Sequence, residues 1–242
     1  MIKLVAEPFD SGLWGKKVCK LYVTPPFPAT EEVRQALDSE RPDIVFAFIP
    51  FARPMIETIE ELDFSLASIR STYVLQNDRA PESQPLAEPF TIVSIADKPE
   101  ITDSDLLALL TTIGSTSRYF ADVRIPRADA TKLYDAWIRN SLYQGYSDQV
   151  FLVMHERHAI GMITLKIRDG RGFVDLIGVL PSFQNAGLGS ALMTSAVGFF
   201  REKNIAETVA ITEGENVIAN AFYQRRGFLL QNVELVYHKH FL

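Results

Sequence analysis

The sequence predicts an α/β (α+β) protein with a mixed, mostly antiparallel sheet and flanking helices. Three observations carry this prediction. Apolar runs at Gln149 to Glu156, Ile160 to Arg168 and Gly172 to Leu180 are joined by turn-forming residues, as in a meander. Strand-like and helical patterns then alternate to the end of the chain, as in a sheet covered by helices. Far upstream, Ile44 to Ile49 is an unbroken apolar run of the kind found in buried strands.

In chain order, Val18 to Val23 reads as a strand. Thr30 to Leu37 reads as a helix, with Thr30 as a candidate N-cap and glutamates in its first turn. Ala52 to Leu62 is helical and Phe64 to Leu75 strand-like. Asn77 to Pro89 is rich in proline and charge, and a linker at 81–89 is expected to divide an N-terminal α/β domain (1–80) from a larger domain (90–242). Beyond it, Phe90 to Ile95 is a strand, Asp103 to Thr112 a helix, Gly114 to Ala130 irregular, and Thr131 to Leu142 a helix with Leu133, Trp137 and Ile138 on one face. After the meander, with its turn at Asp169-Gly170, come a helix from about Gly187 to Lys203, a strand at Glu207 to Ile211, a helix at Val217 to Arg226 and a strand from Phe228 to His240. A shift of about 164 positions places Phe64 on Phe228, Leu66 on Leu230 and Tyr73 on Tyr237. This is either a generic helix-then-strand pattern or a degenerate half-copy of the C-terminal fold, in which Ile59 stands where Tyr223 stands.

Composition excludes several classes. Apolar residues make up 47% and charged residues 22%, enough to bury a core without metal or disulfide staples. The net charge of −6 comes without any Lys/Arg-rich run, which argues against nucleic acid as a partner. The single cysteine, Cys19, rules out a disulfide framework. No apolar run reaches the roughly 18–20 residues of a membrane span, and the N-terminus lacks a signal-peptide pattern, so a cytoplasmic protein is expected.

Chemistry concentrates in Val174 to Ser190. An apolar strand there runs through a short loop into a glycine-bearing helix start, Gln184-Asn185-Ala186-Gly187-Leu188-Gly189-Ser190. N–H groups at a helix start have no intrahelical partner, and the dipole favours an anion. Gly187 and Gly189 allow a pyrophosphate to approach the main chain. No Gly-Lys-Ser/Thr follows, and only one Gly-x-Gly is present, so neither a Walker loop nor a dinucleotide fingerprint fits. An ordinary loop-to-helix junction is the plain alternative. Downstream, Asn216, Ala219 and Tyr223 lie on one helix that ends in Gly227-Phe228. Asn216 either caps that helix or touches a ligand, and Tyr223 is either a core residue or a functional one.

These two segments, in this order, resemble the GNAT superfamily of acetyl-CoA-dependent N-acetyltransferases, over about Phe90 to Leu242. The resemblance implies a GNAT fold, with the N-terminal domain a degenerate half of it. It implies acetyl-CoA as co-substrate, held by Ile177, Gly178, Val179, Gln184 to Ser190, Asn216, Ala219 and Tyr223. The strand at Ile177-Gly178-Val179 is expected to splay open, the Val179 N–H to polarise the thioester, and Tyr223 to protonate the leaving thiolate. Asp175 is a candidate base, as is a water chain to a more distant group.

The two-part architecture resembles more closely the dTDP-fucosamine acetyltransferases, through Phe9-Asp10-Ser11-Gly12-Leu13-Trp14-Gly15, Leu62 to Leu66, and Ser117-Arg118-Tyr119 with Tyr134, Trp137 and Ile138. That implies a nucleotide-linked amino sugar as acceptor. Arg118, Arg124 and Arg127 would meet the diphosphate and Tyr119 or Phe120 a ring face, unless the stretch is only a solvated loop. Another small amine, a protein N-terminus, or a non-catalytic acetyl-CoA-binding role stay open. A homodimer is compatible with all of these. His238 and His240 share a strand face, but two imidazoles at the chain end make a poor metal site and a solvated edge is expected; no metal is called for.

Overall fold

The computed structural model describes residues 1–81 and 86–241. Its elements are β1 (Ile2–Ala6), α1 (Pro8–Trp14), β2 (Val18–Val23), α2 (Thr30–Glu40), β3 (Ile44–Pro50), α3 (Arg53–Glu61), β4 (Ser65–Gln76), β5 (Phe90–Ser94), α4 (Asp103–Gly114), α5 (Arg118–Ala121), α6 (Arg127–Tyr143), β6 (Gln149–His155), β7 (His158–Arg168), β8 (Arg171–Val179), α7 (Leu188–Glu202), β9 (Glu207–Glu213), α8 (Val217–Arg225) and β10 (Leu229–His240). All ten strands form one sheet in the order β1-β2-β3-β10-β4-β9-β8-β7-β6-β5. Among the described residues, only β2–β3 and β8–β9 are parallel. This is the mixed, mostly antiparallel, helix-flanked sheet that the sequence implied.

The strands of the two chain segments interleave. β10 lies between β3 and β4, and β4 lies between β10 and β9. The order therefore repeats in mirror fashion about the β10–β4 contact. Apart from α1, which is inserted between β1 and β2, the run β1-β2-α2-β3-α3-β4 has the same succession and strand directions as β7-β8-α7-β9-α8-β10. Arg53 and Val217 open equivalent helices, and Ser65 and Leu229 open equivalent strands, both pairs 164 positions apart.

Strand periodicity divides the core between two faces. Ile44, Phe46 and Phe48 of β3 join α4 and α6, whereas Val45, Ala47 and Ile49 pack with α2 and α3. Cover on both faces is why this strand is apolar without alternation. α7 and α8 cover the C-terminal half, through Leu188, Leu192, Phe200 and Tyr223. Gly178 of β8 faces α4, where a Cβ would stand 2.5 Å from Ile113 Cγ1, so the glycine sets how closely that helix packs.

Several expectations are corrected. Thr30 is the first helical residue and Ala29 the N-cap; the Thr30 hydroxyl donates instead to Glu61 at 3.2 Å. The stretch expected to be irregular at 114–130 contains α5 and the start of α6, which begins at Arg127 rather than Thr131. β10 is an interior strand, so His238 is fully buried and not on a solvated edge. β1 and α1 carry no strong period; α1 is delimited instead by Pro8 in its first turn and by left-handed Gly15 (φ 63°). Of the expected linker, residues 82–85 lie outside the described residues. Upstream of it, Asn77 is buried and fixed, accepting from Thr208 at 2.6 Å and donating to the Ile205 carbonyl at 2.8 Å. Among the described residues, no helix is long and apolar enough to cross a membrane.

Asp10 of α1 is 2% exposed, and one of its carboxylate oxygens has no partner among the described residues. Burial pushes its pKa up to about 6, against the pull of Lys20. Its folded value thus exceeds its unfolded value of 3.8, so its contribution is fully present below that value and lost as pH rises through about 6. The stability of Asp10→Asn relative to the natural chain should therefore rise by about 2 kcal/mol from pH 4 to pH 7, read by urea unfolding at the two pH values. A pH-independent difference would mean that the charge is not what burial penalises.

Candidate active site

The site begins where β8 and β9 part. They pair only from Gly172 to Val174, against Thr208 to Ala210. β9 stays on β4 over its full length, from Glu207 to Glu213. β8 instead follows β7 up to Val179. A bulge at Asp175 marks the divergence: Val174 faces Leu165 and Leu176 faces Thr164, leaving Asp175 unmatched. The buried Thr164 hydroxyl repairs the ladder by accepting the Leu176 N–H at 3.0 Å.

Beyond the bulge, the Leu176 and Leu180 N–H groups both point at β7. Strand alternation therefore turns the Ile177 and Val179 N–H groups away from β7, into the wedge. The Gln184 side chain crosses to the Val179 carbonyl at 3.1 Å and ties the following loop to the strand. Asn185 (φ 65°) and Gly187 (φ 77°) are left-handed, and Gly187 is the N-cap of α7 without any side-chain cap. The N–H groups of Asn185, Ala186, Gly187, Leu188, Gly189 and Ser190 carry no hydrogen bond among the described residues. Successive free donors at a helix start form an anion cradle.

α8 closes the other side. Asn216 caps it, accepting from the Ala219 N–H at 3.1 Å, and donates to Thr116 at 3.0 Å. Both of its side-chain atoms are thus used within the protein. Phe222 lies against Gly189, 3.5 Å from where a Cβ would stand, so α8 borders the cradle. Tyr223 is 3% exposed and packs on Phe228 and Tyr73 at centroid distances of 5.3 and 5.7 Å. Its hydroxyl makes no hydrogen bond among the described residues, and burial raises its pKa, so it stays protonated at neutral pH. Ile177 and Ala219 join the same cluster.

Asp175 pairs with Arg168, and its Oδ2 is buried without a partner. Burial raises its pKa and the arginine opposes that rise. The expected acceptor residues are less open than a ligand-facing loop requires. Arg118 bridges Glu213 at 3.2 Å and donates to the Tyr119 hydroxyl at 2.7 Å. Tyr119 is 3% exposed, ringed by Trp14, Phe46 and Trp137, so neither of its faces is free for a ligand. Phe120 is half-buried against Tyr134, Arg127 lies over its ring, and Arg124 pairs with Asp122 at 3.0 Å.

Two supporting residues escaped the sequence reading. Tyr73, on β4 of the N-terminal segment, donates to Asn220 at 2.9 Å and accepts from Gln224 at 3.2 Å, bracketing Tyr223 from behind. Glu213, at the end of β9, receives Ser68 and Arg118. Only the echo of Tyr73 on Tyr237 hinted at the first, and no local pattern marks the second.

Residues 114–228 match the family model described as acetyltransferase (GNAT) family. This segment is similar to the GNAT acetyltransferases. Over 141 residues the chain is 28% identical to the spore coat polysaccharide biosynthesis protein SpsD of Bacillus subtilis (strain 168), a match covering 58% of this chain and 48% of that protein. The chain thus spans about half the length of that curated relative. Among solved structures, a GCN5-related N-acetyltransferase from Sphaerobacter thermophilus superposes with a TM-score of 0.67 at 12% identity, over 99% of this chain and 76% of that one. A tandem GNAT protein from the clavulanic acid biosynthesis pathway gives 0.59 at 11% identity, over 92% and 75%. Both likenesses concern the GNAT fold, and they take in the N-terminal segment as well as the matched domain.

Gly187→Ala forces a side chain into the left-handed region at the centre of the cradle. It should weaken coenzyme A binding about tenfold, measured by calorimetry, while leaving the fold intact. Unchanged affinity would place the diphosphate elsewhere.

Proposed function

We propose that the protein is an acetyl-CoA-dependent N-acetyltransferase acting by direct transfer. The wedge between β8 and β9, with the free-donor loop at one end and Tyr223 beside it, carries this reading. The loop and the start of α7 would hold the diphosphate of acetyl-CoA. The pantetheine would lie along Ile177 to Val179 and take the place of the strand partner that their inward N–H groups lack. The Val179 N–H would donate to the thioester oxygen and stabilise the negative charge that develops there. The acceptor amine would attack the carbonyl carbon; the C–N bond forms, the C–S bond breaks, and Tyr223 gives its proton to the departing sulfur. Asp175 would take the amine proton, its raised pKa and unpartnered oxygen suiting it to that task. Asn216 and Ala219 would set the position of α8 against the coenzyme.

The acceptor we infer is the amino group of a nucleotide-linked amino sugar of the dTDP-4-amino-4,6-dideoxyhexose type. The relative named for spore coat polysaccharide biosynthesis supports a sugar amine. In this reading Arg118, Tyr119 and Phe120 build the wall of the acceptor side. Arg118 is held by Glu213, so it would reach a phosphate only by exchanging partners.

Thiol release from acetyl-CoA, with dTDP-4-amino-4,6-dideoxygalactose offered beside a panel of simple amines, tests this. Release with the nucleotide sugar alone is expected. Release only with simple amines would refute the acceptor and leave acetyl transfer intact. No release despite coenzyme binding would refute catalysis. Tyr223→Phe should lower kcat about a hundredfold or more while the affinity for coenzyme A stays within about twofold. A parallel loss of affinity would reduce Tyr223 to a packing residue.

A further inference from the structure

We propose that Asp122, His238 and His240 form a binding site for a divalent transition-metal cation of the zinc class, apart from the β8–β9 wedge. The two imidazoles stand two residues apart on one face of β10, and Asp122 reaches them from the turn after α5. His238 Nδ1 lies 2.8 Å and His240 Nε2 3.0 Å from the same carboxylate oxygen, and one ligand atom from each residue falls within 4.8 Å of the other two. A His-x-His pair on a strand with one carboxylate supplies three neutral or anionic ligands to one point, the donor set of open three-ligand metal sites.

His238 is fully buried, and its Nε2 has no partner among the described residues. An imidazole in the middle of a sheet, with one nitrogen unpaired, is a poor choice where an aliphatic residue would fit. As a metal ligand it has a reason to be there. Coordination through Nδ1 moves its proton to Nε2; the Phe46 ring packs on this imidazole at a centroid distance of 4.5 Å. Coordination of His240 through Nε2 likewise moves that proton to Nδ1. No proton need leave the protein, and no bond other than the three metal–ligand bonds is made.

Access and charge are compatible. A depression of about 420 Å³ opens beside Asp122, between Ser65 to Ala67 of β4 and Val123-Arg124. Arg124 now donates to both oxygens of Asp122 and is 38% exposed at that opening, with Ser65 as a second partner at 3.3 Å. An incoming cation would take over its role as counter-charge while Arg124 swings toward solvent. Arg118, the other nearby cation, is already neutralised by Glu213. Occupancy would clamp β10, at the centre of the sheet, to the α5–α6 turn.

The test uses the full chain after dialysis against EDTA. Calorimetric titration with zinc chloride should show one equivalent bound, and Tm should rise with zinc concentration as linkage requires. Histidine resonances of His238 and His240 should shift in the same titration, a readout that needs no variant. In His240→Gln, the affinity should fall at least about tenfold. No saturable binding would overturn the proposal and leave the cluster a hydrogen-bonded hub. So would equal affinity in His240→Gln, or shifts confined to His155 and His158 on the β6–β7 hairpin.

Discussion

The pairing of β4 with β9 is the constraint on which the site depends. β9 is hydrogen-bonded to β4 over seven consecutive residues but to β8 over only three. It cannot follow β8 without breaking the longer ladder, so when β8 bends at the Asp175 bulge the two strands part. A wedge lined by unpaired backbone is costly in a sheet unless something fills it. Here it opens at the carboxyl ends of two parallel strands, beside a helix start, the place where α/β sheets take ligands. The strand that holds the wedge open comes from the N-terminal segment, which makes that segment part of the site's mechanics even where it touches nothing that reacts.

The same architecture occurs twice and is usable once. β2 and β3 correspond to β8 and β9, yet they pair over five consecutive residues without a bulge. The segment leading into α2 is Pro25-Pro26-Phe27-Pro28, where the C-terminal copy has Asn185 to Gly187. Proline has no N–H, so the loop before this helix adds no run of donors to those of the first turn. The residue equivalent to Tyr223 is Ile59, fully buried among the apolar side chains under α3. Each feature that makes the C-terminal half a candidate site is replaced by one that makes the N-terminal half a support.

What was legible in the sequence was local. The meander, the glycine-bearing helix start and the Asn216 to Phe228 helix each carry their signal within about a dozen residues, and their boundaries fall within a few residues of those observed. The offset between the halves was visible too, because α3–β4 and α8–β10 keep equal lengths. The interleaving of β10 between β3 and β4 was not legible, because an interior apolar strand reads alike whichever neighbours it has. The same limit misled the reading of His238-Lys239-His240: polar alternation near a chain end looks like a solvated edge unless the strand beyond it is known. Arg118 and Tyr119 show the converse limit. A run of arginines and aromatics resembles a ligand loop, but Trp14, Phe46 and Glu213, all distant in sequence, turn it inward.

Turned inward, Arg118 has a definite role in the fold. Its guanidinium lies 4.3 Å from the centroid of the Tyr119 ring and 5.5 Å from that of Phe48, and it meets Glu213 at the end of β9. Glu213 also receives Ser68 from β4, and its backbone carbonyl accepts from Asn220 of α8. One carboxylate residue therefore joins α5, β4, β9 and α8 at the mouth of the wedge. Side chains this enclosed, hydrogen-bonded as well as charged, cost several kcal/mol to leave unpaired, so breaking one link destabilises the rest. Such a junction fixes the separation between the wall below α5 and the helix that carries Tyr223. In the proposed reaction Tyr223 would have to stand within hydrogen-bond reach of the departing sulfur, and a small displacement of its helix would remove it from reach. The polar junction and the β4–β9 ladder thus serve one end: the first keeps the wedge at one width, and the second keeps it open.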